Sequence, residues 1–397
     1  PRNPNPINFT ITRDDIPITT IDTHYMIDEK TGYIKVNRFA ATTHEEFLVS
    51  AEDLKNQGME RLILDLRNNP GGYLSQAIAM AEEFFPRGTK IVSTKSRHTR
   101  FNSEVHSRKN GALKDIPVIT LVNEGSASAS EIVSGAIQDH DRGLVVGRRT
   151  FGKGLVQQQY ELIDNSNIRV TISRYYTPSG RLIQKPFEDG GEYFAYELEH
   201  TSSNTTVEAT DFKDIIPDSL KFKTAAGRDV FGGGGIVPDI IVQEDTTASP
   251  YLFNFMLINR VDFDFVREYL DSKGEDFRTN WEDRYQEYRT DFSWSSADEE
   301  RFISLMKNEG MELSDDVAEP TVENNTLILS KENFDELKWM NYARMKAELA
   351  RQVWGSEYFY PVINDYLNTE LREAINLWDE AEKLAVFVQS QVEARRN

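Results

Sequence analysis

Three serines alternate with alanines in Ser126-Ala127-Ser128-Ala129-Ser130, and further on Lys153 stands between Gly152 and Gly154. The serines follow an apolar run and precede Ile132, Val133, Ala136 and Ile137, which puts them at a strand-to-helix junction. A helix N-terminus stabilises an anion or a developing oxyanion, so hydroxyls there suit acyl transfer. The same serines also read as ordinary helix caps. The lysine adds a second possibility for chemistry, since glycines on both sides let the backbone curl tightly and leave no bulk around it. Gly147 to Lys153 fits G-x-x-x-x-G-K, but Gly154 stands where a phosphate loop needs Ser or Thr for magnesium, and a strand is expected to follow. The remaining reading is a serine–lysine dyad, in which a neutral, shielded lysine takes the serine proton. Such an enzyme also needs backbone donors for the oxyanion. Asn69-Pro70-Gly71-Gly72, between a buried strand and a helix start, is either that donor loop or a plain turn.

These residues need a scaffold, and the first 250 residues alternate strand and helix patterns. Strands are expected at Tyr33 to Phe39, Arg61 to Leu66, Ile116 to Val122 and Leu144 to Val146. Helices are expected after Thr43, with a Thr43–Glu46 capping box, from Leu74 to Phe84, and after the serines. That order predicts a largely parallel sheet covered by helices. Gly154 to Leu162 and Ile168 to Tyr176 predict a hairpin, residues 186–230 a polar surface excursion, and Ile236 to Val242 a last strand.

Composition changes near residue 250. All five tryptophans lie beyond it, with only Gly274, Gly310 and Gly355 of the 23 glycines, and 31 acidic residues against 17 basic. Scarce glycine and proline predict long helices: one from Ser330 to Val353 ended by Gly355, another from about Pro361 to Val392. Trp281, Trp294, Trp339, Trp354 and Trp378 read as core of that helical part, with a peptide groove as the sharper alternative. The domain division is therefore 1–21, 22–250 as an α/β core, and 251–397 as a helical C-terminal domain, the last expected to serve dimerisation, giving a homodimer, or substrate capture.

The 397 residues carry a net charge of −20, which disfavours binding to nucleic acid or an anionic membrane surface. There is no cysteine, so disulfides, cysteine nucleophiles and thiolate metal sites are excluded. No apolar run is long enough to span a membrane. His24, His44, His98, His106, His140 and His200 show no short metal-ligand spacing, and no metal or organic cofactor is expected. His140 reads as a surface residue at a helix end, and Asp65 with Arg67 as a structural ion pair.

The segments LILDLRNNPGG, LVNEGSASASEI, VGRRTFGKGLVQ, SRYYTPSGRLIQ and GGIVPDI, in that order between residues 62 and 241, resemble the carboxyl-terminal processing peptidases, also called tail-specific proteases. The resemblance implies a crotonase-like α/β core and a serine-type endopeptidase acting on unfolded or C-terminally exposed protein and peptide substrates. It implies Ser128 as nucleophile, Lys153 as general base and Gln157 as the residue orienting the lysine. The oxyanion hole falls on the amides of Gly72 and Ala129, with Gly71 the alternative to Gly72. An extracytoplasmic, periplasmic location is also implied. Two departures stand out: Phe9 to Ile21 resembles the segment just after the family's PDZ domain, so that module is expected to be cut away or processed off, and the pattern leaves 251–397 uncovered. The opening Pro1-Arg2-Asn3, without an initiator Met, is expected of a processed chain. The rival readings are a non-catalytic ligand-binding or scaffold protein on the same fold, and a serine–lysine esterase.

Overall fold

Short β-branched runs become the strands of a mixed sheet, and the helices between them bury one face of it. The computed structural model describes residues 9–13, 19–185, 206–212, 216–243 and 251–384. In chain order these carry β1 (Ile21–Met26), β2 (Thr31–Val36), α1 (Thr43–Asn56), β3 (Arg61–Asp65), α2 (Leu74–Glu82), β4 (Lys90–Lys95) and β5 (Ser103–His106). There follow β6 (Val118–Val122), α3 (Ala129–Asp139), β7 (Gly143–Gly147), β8 (Leu155–Glu161), β9 (Asn167–Tyr176), β10 (Thr206–Glu208), β11 (Lys221–Lys223), β12 (Asp229–Phe231) and β13 (Ile240–Val242).

The main sheet has the order β1-β2-β3-β6-β7-β13-β10, parallel from β2 to β13 and antiparallel at both edges. Its central strands are apolar on both faces, as strands covered twice must be. Ile34, Leu62, Leu64, Val118 and Val145 pack beneath α1, α2 and α3 with Phe47, Met80 and Ile132. The alternate residues Tyr33, Ile63, Ile119, Leu121 and Val146 face the other way. A separate antiparallel sheet, β5-β4-β9-β8, carries the expected hairpin at its edge.

The C-terminal region is helical: α4 (Tyr251–Ile258), α5 (Val261–Trp281), α6 (Tyr285–Asp291), α7 (Ser296–Asn308), then α8 (Lys331–Trp354), α9 (Phe359–Leu367) and α10 (Thr369–Ile375). Between α7 and α8 lie three short strands, β14 (Met311–Leu313), β15 (Thr321–Glu323) and β16 (Thr326–Leu329). The Ser330 hydroxyl accepts the Asn333 N–H, and Gly355 at φ +127 ends α8, both as read from the sequence. Trp281, Trp294 and Trp354 pack in the helical core.

Several expectations are corrected. The helix expected from Pro361 is broken at Asn368, whose side chain caps α10 by accepting the Leu371 N–H. A further helical stretch, 378–384, follows. Leu371, Ala374, Trp378 and Ala381 leave the helical core and cover the second face of the main sheet. Trp378 is thus sheet cover, beneath the Arg61 guanidinium, and Trp339 is 43% exposed. Thr42 rather than Thr43 is the N-cap of α1, and Glu46 reaches back to the Thr20 and Ile21 amides instead of closing a box. His140 ends α3 as expected but is not a surface residue: its ring lies against Phe85 and its Nε2 is 2.6 Å from the Lys90 carbonyl. Parts of three sequence readings, at 1–8 and 14–18, at 186–205 and 213–215, and at 385–392, lie outside the described residues.

Candidate active site

Ser128 occupies the turn between β6 and α3 with φ +56, a left-handed value that a residue bearing a Cβ adopts at a cost of about 1–3 kcal/mol. What holds it there is Glu131, fully buried one turn into α3. One carboxylate oxygen of Glu131 accepts the Ser128 N–H at 2.6 Å and the Lys153 N–H at 2.9 Å. The other accepts the Thr150 hydroxyl at 2.6 Å and the Gly152 N–H at 2.7 Å. Four donors thus converge on one carboxylate, tying the serine turn to the lysine loop. Burial pushes the Glu131 carboxyl up, and these hydrogen bonds act against that rise.

The three serines separate by role. Ser126 and Ser130 are fully buried and donate to the Leu66 and Asn69 carbonyls at 2.8 and 3.0 Å. They staple the turn to the 66–72 loop and do not cap the helix. Ser128 is half-buried and holds the N-cap position of α3.

The 69–72 loop packs directly on the serine turn. Asn69 is its keystone: the side chain accepts the Gly71 N–H and donates to the Val36 carbonyl, both at 2.9 Å, and its own carbonyl accepts the Ala127 N–H at 2.9 Å. A Cβ on Gly71, which has φ +94, would lie 2.9 Å from the Ser128 Cβ and 3.0 Å from the Ala129 nitrogen, so only glycine fits. Since Asn69 consumes the Gly71 N–H, Gly71 is the poorer donor of the two glycines. The Gly72 and Ala129 N–H groups have no hydrogen-bond partner among the described residues.

Lys153 sits in the loop before β8, and a strand does follow it. The dyad reading calls for a shielded lysine, whereas this side chain is exposed, with no ion-pair partner among the described residues. The flanking glycines have a packing origin instead. Gly152 has φ +86, and a Cβ there would meet Lys185 Cβ at 2.9 Å and the Gly235 nitrogen at 3.0 Å. Gln157 lies exposed in β8, beyond a register shift at Val156, and its side chain makes no hydrogen bond among the described residues. No hydrogen bond joins its side chain to Lys153.

Below the loop, Asp65 and Arg67 form the ion pair read from the sequence, 2.6 Å at its shortest. Burial would raise the Asp65 carboxyl, but Arg67 and Lys35 hold it far below the usual range. Arg67 also reaches Asn368 at 2.8 Å and Glu370 at 3.0 Å, and Glu370 accepts from Arg148 at 2.6 Å. Sequence reasoning missed Glu131, Asn69 and Glu370. Glu131 was findable as the residue three beyond Ser128 at a helix start, the box position. Glu370, over 300 residues from Arg67, left no local signal. Among the described residues no group of three His, Asp or Glu side chains could hold a metal.

Residues 30–190 match Peptidase family S41. The carboxyl-terminal-processing protease of Picosynechococcus sp. is 42% identical over 179 residues, 44% of this chain and 42% of that protein. The carboxy-terminal-processing protease of Bartonella bacilliformis is 37% identical over 183 residues, 45% of this chain and 42% of that protein. The solved photosystem II D1 C-terminal processing protease is 32% identical over 43% of this chain and 46% of that one, with a TM-score of 0.37. The matches span less than half the length of these relatives.

Proposed function

We propose that this chain, whose residues 30–190 match peptidase family S41, is a serine endopeptidase of the carboxyl-terminal processing type with a crotonase-like core. Its substrates are unfolded or C-terminally exposed polypeptides, and an extracytoplasmic, periplasmic site of action fits the same reading. The observation that supports the mechanism is that a single Glu131 oxygen accepts both the Ser128 and the Lys153 N–H, which ties the serine turn to the lysine loop.

In this mechanism the Ser128 Oγ attacks the scissile carbonyl carbon while the Lys153 amine takes the hydroxyl proton. The carbonyl electron pair moves onto oxygen, where the Gly72 and Ala129 amides stabilise it together with the N-terminus of α3. Collapse breaks the C–N bond, and the leaving amine takes the proton from Lys153. Water, deprotonated by the same lysine, then releases the acyl group. Substrate laid over the exposed loop shields the lysine from water. Gln157, on the strand that leaves this loop, orients the amine once substrate is bound. The rim carries exposed apolar rings, Tyr73 at 62% and Phe151 at 60%, which suit an unfolded chain.

The division 22–250 and 251–397 is retained as a functional one, with the helical part bearing on substrate capture or homodimerisation and supplying no catalytic group. Incubation with an unfolded protein beside Ser128→Ala tests the reading. Serine-dependent fragments are expected. Absence of cleavage, or cleavage unchanged in Ser128→Ala, contradicts it, and turnover of small esters alone favours the esterase.

A further inference from the structure

A basic groove of about 970 Å³ lies on the β5-β4-β9-β8 sheet of this acidic chain. Lys95, Arg97, His98, Arg100 and Arg174 line it, and no carboxylate does. All five are exposed, and none has an ion-pair partner among the described residues. Strand register puts Lys95 directly opposite Arg174, and Arg174 directly opposite Leu155. Like charges facing each other across adjacent strands oppose folding. A chain with 65 acidic residues has abundant means to neutralise such a pair, yet here it does not. Lys95 instead lies over the Tyr176 ring, 4.7 Å from its centroid, and Arg100 over Phe101 at 4.6 Å. Both contacts hold a cation in place without cancelling its charge.

The groove also adjoins the lysine loop of the candidate active site along the chain. Leu155, in its lining, is two residues beyond Lys153, and β8 is the outer strand of its sheet. An outer strand offers unpaired backbone groups to which an extended peptide adds as a further strand. A long nucleic acid would meet the field of a chain with net charge −20. A short acidic segment meets only the groove.

We propose that this groove is a substrate subsite that binds an acidic stretch of an extended polypeptide, through Lys95, Arg97, Arg100 and Arg174, while the neighbouring segment crosses Lys153 and Ser128. The inference rests on the peptidase reading for what the bound peptide undergoes, not for its binding.

The test is fluorescence anisotropy on the full chain bearing Ser128→Ala, which leaves the probe uncut. Two fluorescein-labelled extended peptides of equal length are compared, one with four Glu where the other has four Gln. The acidic peptide should bind about tenfold more tightly at low salt, equivalent to about 1.4 kcal/mol, and lose that margin as salt rises. Arg97→Glu with Arg174→Glu should abolish the preference, and Arg97→Gln with Arg174→Gln should reduce it. Thermal midpoints at or above that of the parent verify folding, since Arg174→Glu places a carboxylate opposite Lys95. Equal binding of both peptides, or a preference that survives charge reversal, overturns the proposal. So does a single-stranded oligonucleotide of matched charge that competes as well as the acidic peptide. Acid preference in a chain that cuts nothing would keep the groove and remove the peptidase reading. Cleavage without acid preference would do the reverse.

Discussion

The geometry of Ser128 depends on a carboxylate that touches no substrate atom in the proposed mechanism. Both Glu131 oxygens accept from two donors each, so an amide cannot replace the carboxylate: its NH2 would face donors. Glu131→Gln should therefore cost at least about 3 kcal/mol of stability or local order and lower kcat more than it raises KM. Because burial raises the Glu131 carboxyl, it gains a proton at a pH above the ordinary glutamate value as the solution is acidified. Activity should then fall on the acid side with a midpoint above about 4.5, measured as kcat/KM against pH. Ser130→Ala leaves the Asn69 carbonyl one donor short and should cost about 1–3 kcal/mol by denaturant titration, with turnover reduced but measurable. Residue types and spacing announced the serines, the lysine and the glycine loop, because those are local patterns. That Ser126 and Ser130 are staples was not legible, since their acceptors lie about 60 residues away. The exposure of Lys153 was not legible either, because the neighbours on which its loop packs, Lys185 and Gly235, lie more than 30 residues away.

At the scale of elements, the joint between α10 and the ends of β3 and β7 links the helical region to the loop beneath the site. Glu370 lies in the first turn of α10, where the helix dipole favours its charge, and is bracketed by Arg67 and Arg148. Arg67 is in turn bound to Asp65 at the end of β3. Removing one partner of such a nearly buried set leaves uncompensated charge, so Glu370→Ala should destabilise the chain by about 3 kcal/mol in urea unfolding. The strands β2, β3 and β6 to β9 and the helices α1 to α3 followed from periodicity and turn residues, whereas β1, β4 and β5 were not read from the sequence, and Ser330 and Gly355 bounded α8 by their own cap chemistry. The break at Asn368 was hidden because an asparagine within an apolar helical pattern also reads as a solvent-facing position. The cover that Leu371 and Trp378 lay over Tyr33 and Ile63 was hidden because it pairs elements more than 300 residues apart.

For the molecule as a whole, acid stability follows from buried carboxylates. Burial would raise Glu83, but hydrogen bonds from His44, Lys109 and the Ala112 N–H outweigh it and bring the carboxyl down to about 2. Asp65 is held lower still. A carboxyl depressed on folding contributes stability that is complete above its unfolded value, about 4.3, and is lost as pH falls toward the folded one. The thermal midpoint should thus fall between about pH 4.5 and 2, and Glu83→Gln should flatten that fall while lowering stability at neutral pH. A midpoint that holds steady down to pH 2 would show that neither carboxylate is tied as described.

The dyad itself is the central claim, and covalent labelling reads it directly. A fluorophosphonate should modify Ser128 in the intact chain, located by peptide mapping, and spare Ser126 and Ser130. Labelling should vanish in Lys153→Arg, whose guanidinium keeps the charge but cannot take up the serine proton. Modification of Ser126 or Ser130, or undiminished labelling of Ser128 in Lys153→Arg, would contradict the account.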